Sequence, residues 1–310
     1  MKILVTGGAG FIGSHVAEAF VQLGHDVIVM DDLSSGRREN VPDGARLVVA
    51  DVRSSEAAEV IAREQPQVLC HHAAQMDVRR SVADPQFDAA VNILGLLNLM
   101  EAGRSNGLEQ VLFASTGGAI YGEQEVFPCP ESHPTNPLSP YGIAKLASEK
   151  YLHFYHVTYG IRWVALRYAN VYGPRQNPHG EAGVVAIFTE KLLRGEQPVI
   201  NGDGKQTRDY VFVGDLVRAN VLALQSDYCG PLNLGTGRET DVNTLFRLLC
   251  EVSGVHAPEL HGPAKPGEQR RSSIDNSLAR KILGWQPEVD LEAGLRRTVE
   301  YFRQRSTQKG

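Results

Sequence analysis

A glycine-rich turn near the start of this 310-residue chain constrains its fold more than any other feature does. The apolar run Lys2–Val5 is followed by the segment TGGAGFIG over residues 6–13, which fits both G-x-G-x-x-G and G-x-x-G-x-x-G. Glycines at these places let a strand turn sharply into a helix, and they let the backbone approach a pyrophosphate at the helix N-terminus. The turn therefore predicts a β-α unit that binds a dinucleotide, with the phosphates near Gly7, Gly10, Phe11, Ile12 and Gly13.

The second apolar run, Val27–Met30, ends at Asp31, which lies 18 residues beyond Gly13. A carboxylate about 20 residues past such a turn can bind the ribose 2′-hydroxyl and repel a 2′-phosphate, so this position favours NAD over NADP. Arg37 and Arg38 could accommodate a phosphate instead, but charges in a polar loop are more often simply solvated.

Short apolar runs alternate with amphipathic stretches over roughly the first 170 residues. The runs lack polar alternation, as strands buried on both faces do, and the stretches between them suit crossover helices. The expected fold class is therefore α/β, with a doubly wound parallel, Rossmann-like sheet over residues 1–170. The predicted strands are Lys2–Val5, Val27–Met30, Leu47–Val49, Val68–Cys70, Val111–Ala114 and Trp163–Leu166, and the predicted helices are Phe11–Leu23, Ser55–Glu64, Asp88–Ser105 and Tyr141–Tyr159.

The alternation of strand-like and helix-like segments becomes less regular beyond residue 170, where loops rich in Gly, Pro, Asn and His separate shorter regular segments. Long loops in compact domains are often functional. We expect residues 171–310 to form a smaller α/β substrate-binding domain, with some segments returning to the first domain. The predicted loops are Gly173–Gly183 and Pro258–Gly267, the predicted helices are Val184–Arg194, Thr244–Val252 and Leu291–Arg305, and the predicted strand is Leu232–Leu234.

A Y-x-x-x-K pattern places Tyr141 and Lys145 four residues apart in a predicted helix. Positions i and i+4 share one helix face, so the phenol and the ammonium group can point into the same cleft. A phenol ordinarily has a pKa near 10, and a neighbouring Lys and an oxidised nicotinamide both favour the phenolate. The pattern arises often by chance as an exposed pair, but its place after a dinucleotide turn and a series of strands predicts a general base at Tyr141.

Composition excludes several classes of protein. The chain has 31 Lys and Arg against 36 Asp and Glu, a formal net charge of −5, which argues against binding nucleic acid or anionic lipid through overall charge. The 4 cysteines are scattered, without the paired spacing of a zinc site, and they suit a reducing compartment. No leader and no apolar stretch near 20 residues is visible, so we expect a cytoplasmic protein without a metal and without a membrane partner.

At this point the chain resembles the extended short-chain dehydrogenase/reductases that act on nucleotide sugars, and among them it is most similar to the UDP-glucose 4-epimerases. The resemblance covers nearly the whole chain. It rests on residues 6–13, Asp31, HHAA at 71–74, YG at 121–122, SPYGIAK at 139–145, RYANVYGPR at 167–175 and TRDYV at 207–211.

The resemblance implies a Ser or Thr that hydrogen-bonds the reacting sugar hydroxyl, four residues before the Tyr of the Tyr-Gly pair. Here that position is Gly117, a departure from the family, so Thr116 or Ser115 must supply the hydroxyl, and we favour Thr116. The acidic pair that nucleotide-sugar dehydratases carry just after the hydroxyl residue is also missing. Without an acid to protonate a departing hydroxyl, dehydration is disfavoured.

The resemblance also implies further binding residues. Lys145 would bridge the nicotinamide ribose. Asp51 would meet the adenine ring, although a helix cap before Ser54 explains it equally well. The other implied cofactor residues are Val52, Ala73 and Asn92, and the implied nucleotide-sugar residues are Asn170, Val184, Arg208, Lys265 (an Arg in the family) and Glu268.

A small residue, Ser272, occupies a pocket position that is bulky in strict glucose/galactose epimerases of the family, which predicts that N-acetylated sugars also fit. Tyr141 would take the proton of the sugar 4-hydroxyl while NAD accepts and later returns hydride, so that no net oxidation occurs. Alternatives are an epimerase of UDP-GlcNAc or UDP-glucuronate, a decarboxylase, a dehydratase or reductase of the same family, and a non-catalytic NAD-sensing or RNA-associated protein. The expected partners are a UDP-sugar and, through the two helices Asp88–Met100 and Tyr141–Tyr159, a second copy of the chain.

Overall fold

The computed structural model describes residues 1–178, 183–265 and 269–307. The strands are β1 (Lys2–Thr6), β2 (Asp26–Asp31), β3 (Arg46–Val49), β4 (Val68–His71), β5 (Gln110–Thr116), β6 (Arg162–Tyr168), β7 (Asn170–Tyr172), β8 (Ile200–Asn201), β9 (Thr207–Arg208), β10 (Tyr210–Phe212), β11 (Gly230–Leu234), β12 (Thr240–Asp241) and β13 (His261–Gly262). The helices are α1 (Phe11–Gln22), α2 (Ser55–Glu64), α3 (Val78–Ala83), α4 (Pro85–Ala89), α5 (Gly95–Arg104), α6 (Pro140–Tyr159), α7 (Val184–Leu193), α8 (Val213–Leu224), α9 (Val242–Ser253), α10 (Ser277–Leu283) and α11 (Leu291–Thr307).

A seven-stranded sheet in the order β11-β6-β5-β4-β1-β2-β3 forms the centre of the molecule, and its neighbouring strands all run parallel. Along β1, Ile3 and Val5 enter one apolar cluster while Leu4 enters the cluster on the opposite face. Both faces are therefore covered by helices, which explains why the strands lack polar alternation. The predicted Rossmann-like α/β fold is confirmed.

The strand order reverses between β1 and β4. Ligands in open α/β sheets bind outside the carboxyl ends of the strands at such a switch point. The glycine turn after β1 and the segments that follow β4 and β5 thus converge on one cleft.

The second half of the chain contributes to both parts of the molecule. β11 pairs with β6 at the edge of the main sheet, and α8 packs against α1. Helices α7, α9 and α11 pack on one another around a third apolar cluster, beside three two-stranded sheets, β7–β10, β9–β12 and β8–β13. The division of the chain into domains at residue 170 stays a prediction.

Two segments differ from the sequence prediction. The expected helix Asp88–Ser105 is interrupted, because α4 passes through a π-helical turn, Ala90–Leu94, before α5 begins. The expected loop Pro258–Gly267 contains β13, whose two residues pair with β8. Neither a single wide turn nor a two-residue strand leaves a periodic signal. Within the described ranges, no helix is both long enough and apolar enough to cross a bilayer.

Candidate active site

The glycine turn joins β1 to α1 with no room for side chains. Gly7 has φ +66°, and a Cβ there would lie 2.6 Å from the backbone nitrogen of Ala73. A Cβ at Gly13 would overlap the carbonyl oxygen of Gly7, and one at Gly10 would lie 3.1 Å from the same oxygen. The helix N-terminus is therefore held close to the strand end, with no side chain to keep a phosphate away.

Asp31 at the end of β2 is tied to this turn. Its Oδ2 accepts from the Ala9 backbone N–H at 3.0 Å and its Oδ1 from that of Leu33 at 2.9 Å. Burial raises the pKa of Asp31, while the two backbone donors oppose that rise. Arg37 lies nearby and pairs with Glu39 at 3.8 Å. This arrangement fits the ribose of a dinucleotide next to a phosphate cradle.

Asp51, predicted at the adenine ring, and the further predicted cofactor residues Val52 and Ala73 lie at the carboxyl ends of β3 and β4. Asp51 binds Arg53, whose Nε is 3.0 Å from Oδ1. The alternative in which Asp51 caps the following helix is wrong, since the N-cap of α2 is Ser54, whose Oγ accepts from Ala57. Val52 is buried. Ala73 donates its N–H to Thr6 Oγ1 at 3.3 Å, directly beside the turn.

The sequence predicts that Asn92 contacts the cofactor, but its side-chain amide is already engaged by neighbouring residues. It is buried, its Oδ1 accepts from Gln75 N at 3.0 Å, and its Nδ2 donates to Gln75 O and to Asp88 Oδ1. Its amide thus holds the segment after β4 in place, and a direct contact with NAD stays a prediction.

The start of α6 places Tyr141 and Lys145 against the end of β5. Ser139 caps the helix, with Pro140 in its first turn. Lys145 Nζ donates to the Ala114 carbonyl at 2.9 Å and lies 5.9 Å from the centroid of the Tyr141 ring. A Cβ at Gly142 would lie 2.7 Å from Ala119 O, so the helix and the turn after β5 are in close contact.

Burial dominates the electrostatics of this pair. It lowers the pKa of Lys145 to about 8, although Asp88 and Glu149 act to raise it. Burial also raises the pKa of the Tyr141 phenol, and the charge of Asp88 raises it further. Lys145 alone therefore does not bring the Tyr141 pKa below its ordinary value, and the sequence prediction also relies on the charge of an oxidised nicotinamide. A further positive charge, such as that of an oxidised nicotinamide, is needed to favour the phenolate.

The two candidate hydroxyls have different surroundings. Ser115 Oγ is buried and donates to Glu149 Oε1 at 2.6 Å, and the same carboxylate forms a buried ion pair with Arg167 at 2.6 Å. Thr116 is partly exposed, and its Oγ1 accepts from Ala119 N at 3.2 Å, which leaves its own proton available. The structure thus favours Thr116. A Cβ at Gly117 would lie 2.5 Å from Ile274 Cδ1, so a larger residue there requires the Ile274 side chain to shift.

An open cleft of about 760 Å³ adjoins these residues. It brings together four of the residues predicted to bind the nucleotide sugar, Asn170, Val184, Arg208 and Lys265. Tyr141 and Thr116 do not line the cleft. They are two residues away in the chain from Ser139 and Gly118, which do line it. Ser272 is buried and does not line the cleft. Glu268 lies outside the described residues.

Several cleft residues carry no motif and were missed by sequence reasoning. They follow β4 or come from the second half of the chain, and they include Met76, Val78, Arg79, Phe188 and Gln206. The position of residues 76–79 just after a strand next to the switch point was the one available signal.

Comparison with known proteins agrees with the fold and the cofactor site described above. The NAD dependent epimerase/dehydratase family matches residues 3–235. The crystal structure of UDP-glucose 4-epimerase with UDP-glucose from Thermotoga maritima is 50% identical, with a TM-score of 0.97, and the match covers 99% of this chain and 100% of that one. The Thermus thermophilus UDP-glucose 4-epimerase complex with NAD is 45% identical, with a TM-score of 0.93 and coverage of 98% and 99%.

A curated UDP-glucose 4-epimerase of Mycolicibacterium smegmatis is 47% identical over 313 residues, which is 99% of this chain and 100% of that protein. The match extends over both the cofactor-binding and the cleft-forming segments. With NAD as its cofactor, this chain belongs to the NAD-dependent epimerase/dehydratase family.

Proposed function

We propose that this protein interconverts UDP-glucose and UDP-galactose by inverting the sugar at C4. One observation carries the proposal: Tyr141 and Lys145 lie at the end of β5 beside a cleft that holds Arg208 and Lys265, in a chain 50% identical over its length to a UDP-glucose 4-epimerase. The runner-up reactions of the family would use the same cofactor site, so the products distinguish them.

The chain's own residues hold and move the proton. Tyr141, as phenolate, takes the proton from the 4-hydroxyl and returns it after the sugar has turned, while Thr116 Oγ1 donates a hydrogen bond to the same oxygen. Lys145 keeps a positive charge beside the phenol. NAD, when bound between the glycine turn and Asp31, supplies the hydride acceptor and donor. The reaction therefore ends with the cofactor in its starting state.

The nucleotide is held by the part of the cleft that lies on the second half of the chain. Arg208 and Lys265 place two cations in the walls, which suits a diphosphate, and Asn170 and Val184 lie in the same walls. We assign the phosphates to Arg208 and Lys265. A firm hold on the nucleotide with fewer contacts to the sugar is what rotation of a keto-sugar requires. Glu268 stays a prediction for the uridine ribose.

Inversion without elimination agrees with the turn after β5. Residues 117–119 are Gly-Gly-Ala, and the one acid in the described walls of the cleft, Glu123, is exposed. No carboxyl group in the turn can protonate a leaving 6-hydroxyl.

We further propose that the protein is a cytoplasmic homodimer. Part of α6 and the adjoining π-helical turn expose apolar side chains, namely Ile143 (53% exposed), Val157 (70%) and Leu94 (60%). Leu152 and Tyr155, on the same helix, are buried in the chain's own core. A second copy that packed its own α5 and α6 on this surface would cover it.

The test is incubation of the purified protein with UDP-glucose, UDP-GlcNAc, UDP-glucuronate or UDP-galactose, without added cofactor, followed by chromatography and NMR. We expect UDP-glucose and UDP-galactose to interconvert. Inversion of UDP-GlcNAc, predicted from the small Ser272, has no support from the described cleft, since Ser272 does not line it. Inversion of only another sugar, or formation of a dehydrated product, would overturn the proposal.

A further inference from the structure

Asp88 lies at the end of α4, and its carboxyl group is buried next to α6, the helix that carries Tyr141 and Lys145. Among the described residues it neither caps a helix nor forms an ion pair at the surface. It is 1% exposed. Its Oδ1 accepts from Gln75 Nε2 and from Asn92 Nδ2, both at 3.0 Å. Its Oδ2 has no hydrogen-bond partner among the described residues. Both of these hydrogen-bond donors are neutral amides, which cannot cancel the charge of a carboxylate.

The elements around Asp88 bring that charge to the catalytic pair. α4 and the π-helical turn both pack against α6, and Ser148 of α6 donates to the Asn92 carbonyl at 3.0 Å. Asp88 acts electrostatically on both Lys145 and Tyr141. π-helical turns often occur at functional sites because they shift side chains out of the regular helical register.

The other ionisable groups near Lys145 do not balance its charge. Glu149 is engaged by Arg167 in a buried two-pronged ion pair. Burial lowers the pKa of His71 and of His72 to about 3, so both are neutral at ordinary pH. Asp88 is therefore the carboxylate that can offset Lys145.

We propose that Asp88 is a positioning residue whose negative charge keeps the buried active site electrically neutral in both halves of the reaction. The inference rests on the proposed function. Before proton transfer, Lys145 and the oxidised nicotinamide are positive while the Tyr141 phenolate and Asp88 are negative. After the substrate has lost a proton to Tyr141 and a hydride to the cofactor, only Lys145 and Asp88 remain charged. The sum is zero in both states, so neither state is favoured by an uncompensated buried charge.

Replacing Asp88 by Asn tests this with little change of shape. The new Oδ1 can still accept from Gln75 and Asn92, and the new amide takes the place of an oxygen that has no partner. The site then carries an extra positive charge in both states. That charge stabilises the phenolate and also the reduced, uncharged nicotinamide.

We expect D88N to move the pH dependence of kcat by about 1 unit to lower pH, on both the acid and the alkaline side. The fraction of bound cofactor that is reduced in the presence of UDP-glucose should change little, because stabilising the phenolate and stabilising the reduced nicotinamide shift this equilibrium in opposite directions. The matched control is D84N at the exposed N-cap of the same helix, whose carboxylate accepts only from Phe87 N in the described contacts. It should leave the pH profile unchanged.

A second neutral variant, D88S, guards against a folding defect of the first and should shift the pH profile the same way. An unchanged pH profile in a folded neutral variant, even with reduced turnover, would overturn the inference and leave Asp88 a purely structural residue. Failure of the wild-type protein to epimerise UDP-glucose would instead refute the proposed function, and the two failures are therefore distinguishable.

Discussion

The cofactor half and the nucleotide-sugar half of the site are built in different ways. Around the cofactor, backbone geometry dominates: Gly7 and Gly13 leave no room for a Cβ, and Asp31 is fixed by two backbone N–H groups. In the cleft, a few side chains from distant segments, such as Asn170, Arg208 and Lys265, supply the charges and amides. At these glycines the cofactor half has no room for larger residues. In the nucleotide-sugar half, exchange of a single side chain can change which ligand the cleft binds.

The catalytic pair lies where the two halves meet, and its loss should have the largest effect. Tyr141→Phe removes the group that takes the proton from the 4-hydroxyl, so kcat should fall by about 10²–10⁴-fold. Binding of NAD and of UDP should remain, since neither the glycine turn nor the cations of the cleft are altered. Turnover assays together with calorimetric titration of UDP would show this. Near-normal turnover by the folded variant would remove Tyr141 from its role.

The next largest effect should come from the cofactor half. Gly13→Ala puts a Cβ against the Gly7 carbonyl, a backbone atom that cannot move aside, so NAD affinity should fall by more than about tenfold. The matched control is Gly118→Ala, at a position where a Cβ would lie no closer than 4.0 Å to Thr116 Oγ1. That variant should keep its NAD affinity. Equal NAD affinity in both variants, measured by fluorescence titration, would argue against a rigid backbone cradle.

Substitutions in the nucleotide-sugar half should act on KM. Arg208→Lys keeps the charge but loses the planar, two-pronged geometry that suits a diphosphate, so KM for the UDP-sugar should rise by roughly tenfold with little change in kcat. Lys265→Arg restores the residue type of the family and should lower KM. A fall in kcat at constant KM in the Arg208 variant would place this side chain at the reacting end of the sugar.

The last effect concerns stability in acid rather than catalysis, and it again belongs to the cofactor half. Burial lowers the pKa of His71 and of His72 to about 3, against an ordinary value of 6.5. The unfolded chain therefore binds protons that the folded one does not, and stability should decline as the pH falls from about 6.5 towards 3. Urea unfolding at several pH values would measure it. His72→Gln should show a shallower decline, and an unchanged slope would contradict the assignment.

The contrast between the cofactor half and the nucleotide-sugar half also explains which features could be predicted from the sequence. The fold and the cofactor half follow from local signals, because the turn at residues 6–13, the strand that ends at Asp31 and the pair Tyr141 and Lys145 each act within a few residues of the chain. We favour Thr116 over Ser115 from the sequence, but the physical reason for this choice could not be derived that way. It depends on Glu149, 34 residues away from Ser115, which binds that hydroxyl.

The remaining differences also come from contacts distant in the sequence. A Cβ at Gly117 would meet Ile274, which is far away in the sequence, and β13 exists only by pairing with β8. The rise in the pKa of Tyr141 follows from burial and from Asp88, which the helical spacing of a Tyr and a Lys does not reveal. Sequence spacing shows which groups share a helix face, but not how dry their surroundings are.

The central claim is that hydride leaves C4 and returns to C4 within one site, with Tyr141 carrying the proton. Incubation of the protein with UDP-glucose deuterated at C4 in ordinary water, followed by NMR of the product, tests it most directly. The account predicts UDP-galactose that retains deuterium at C4, with no net accumulation of reduced cofactor. Loss of the label to water, or stoichiometric formation of reduced cofactor, would contradict it.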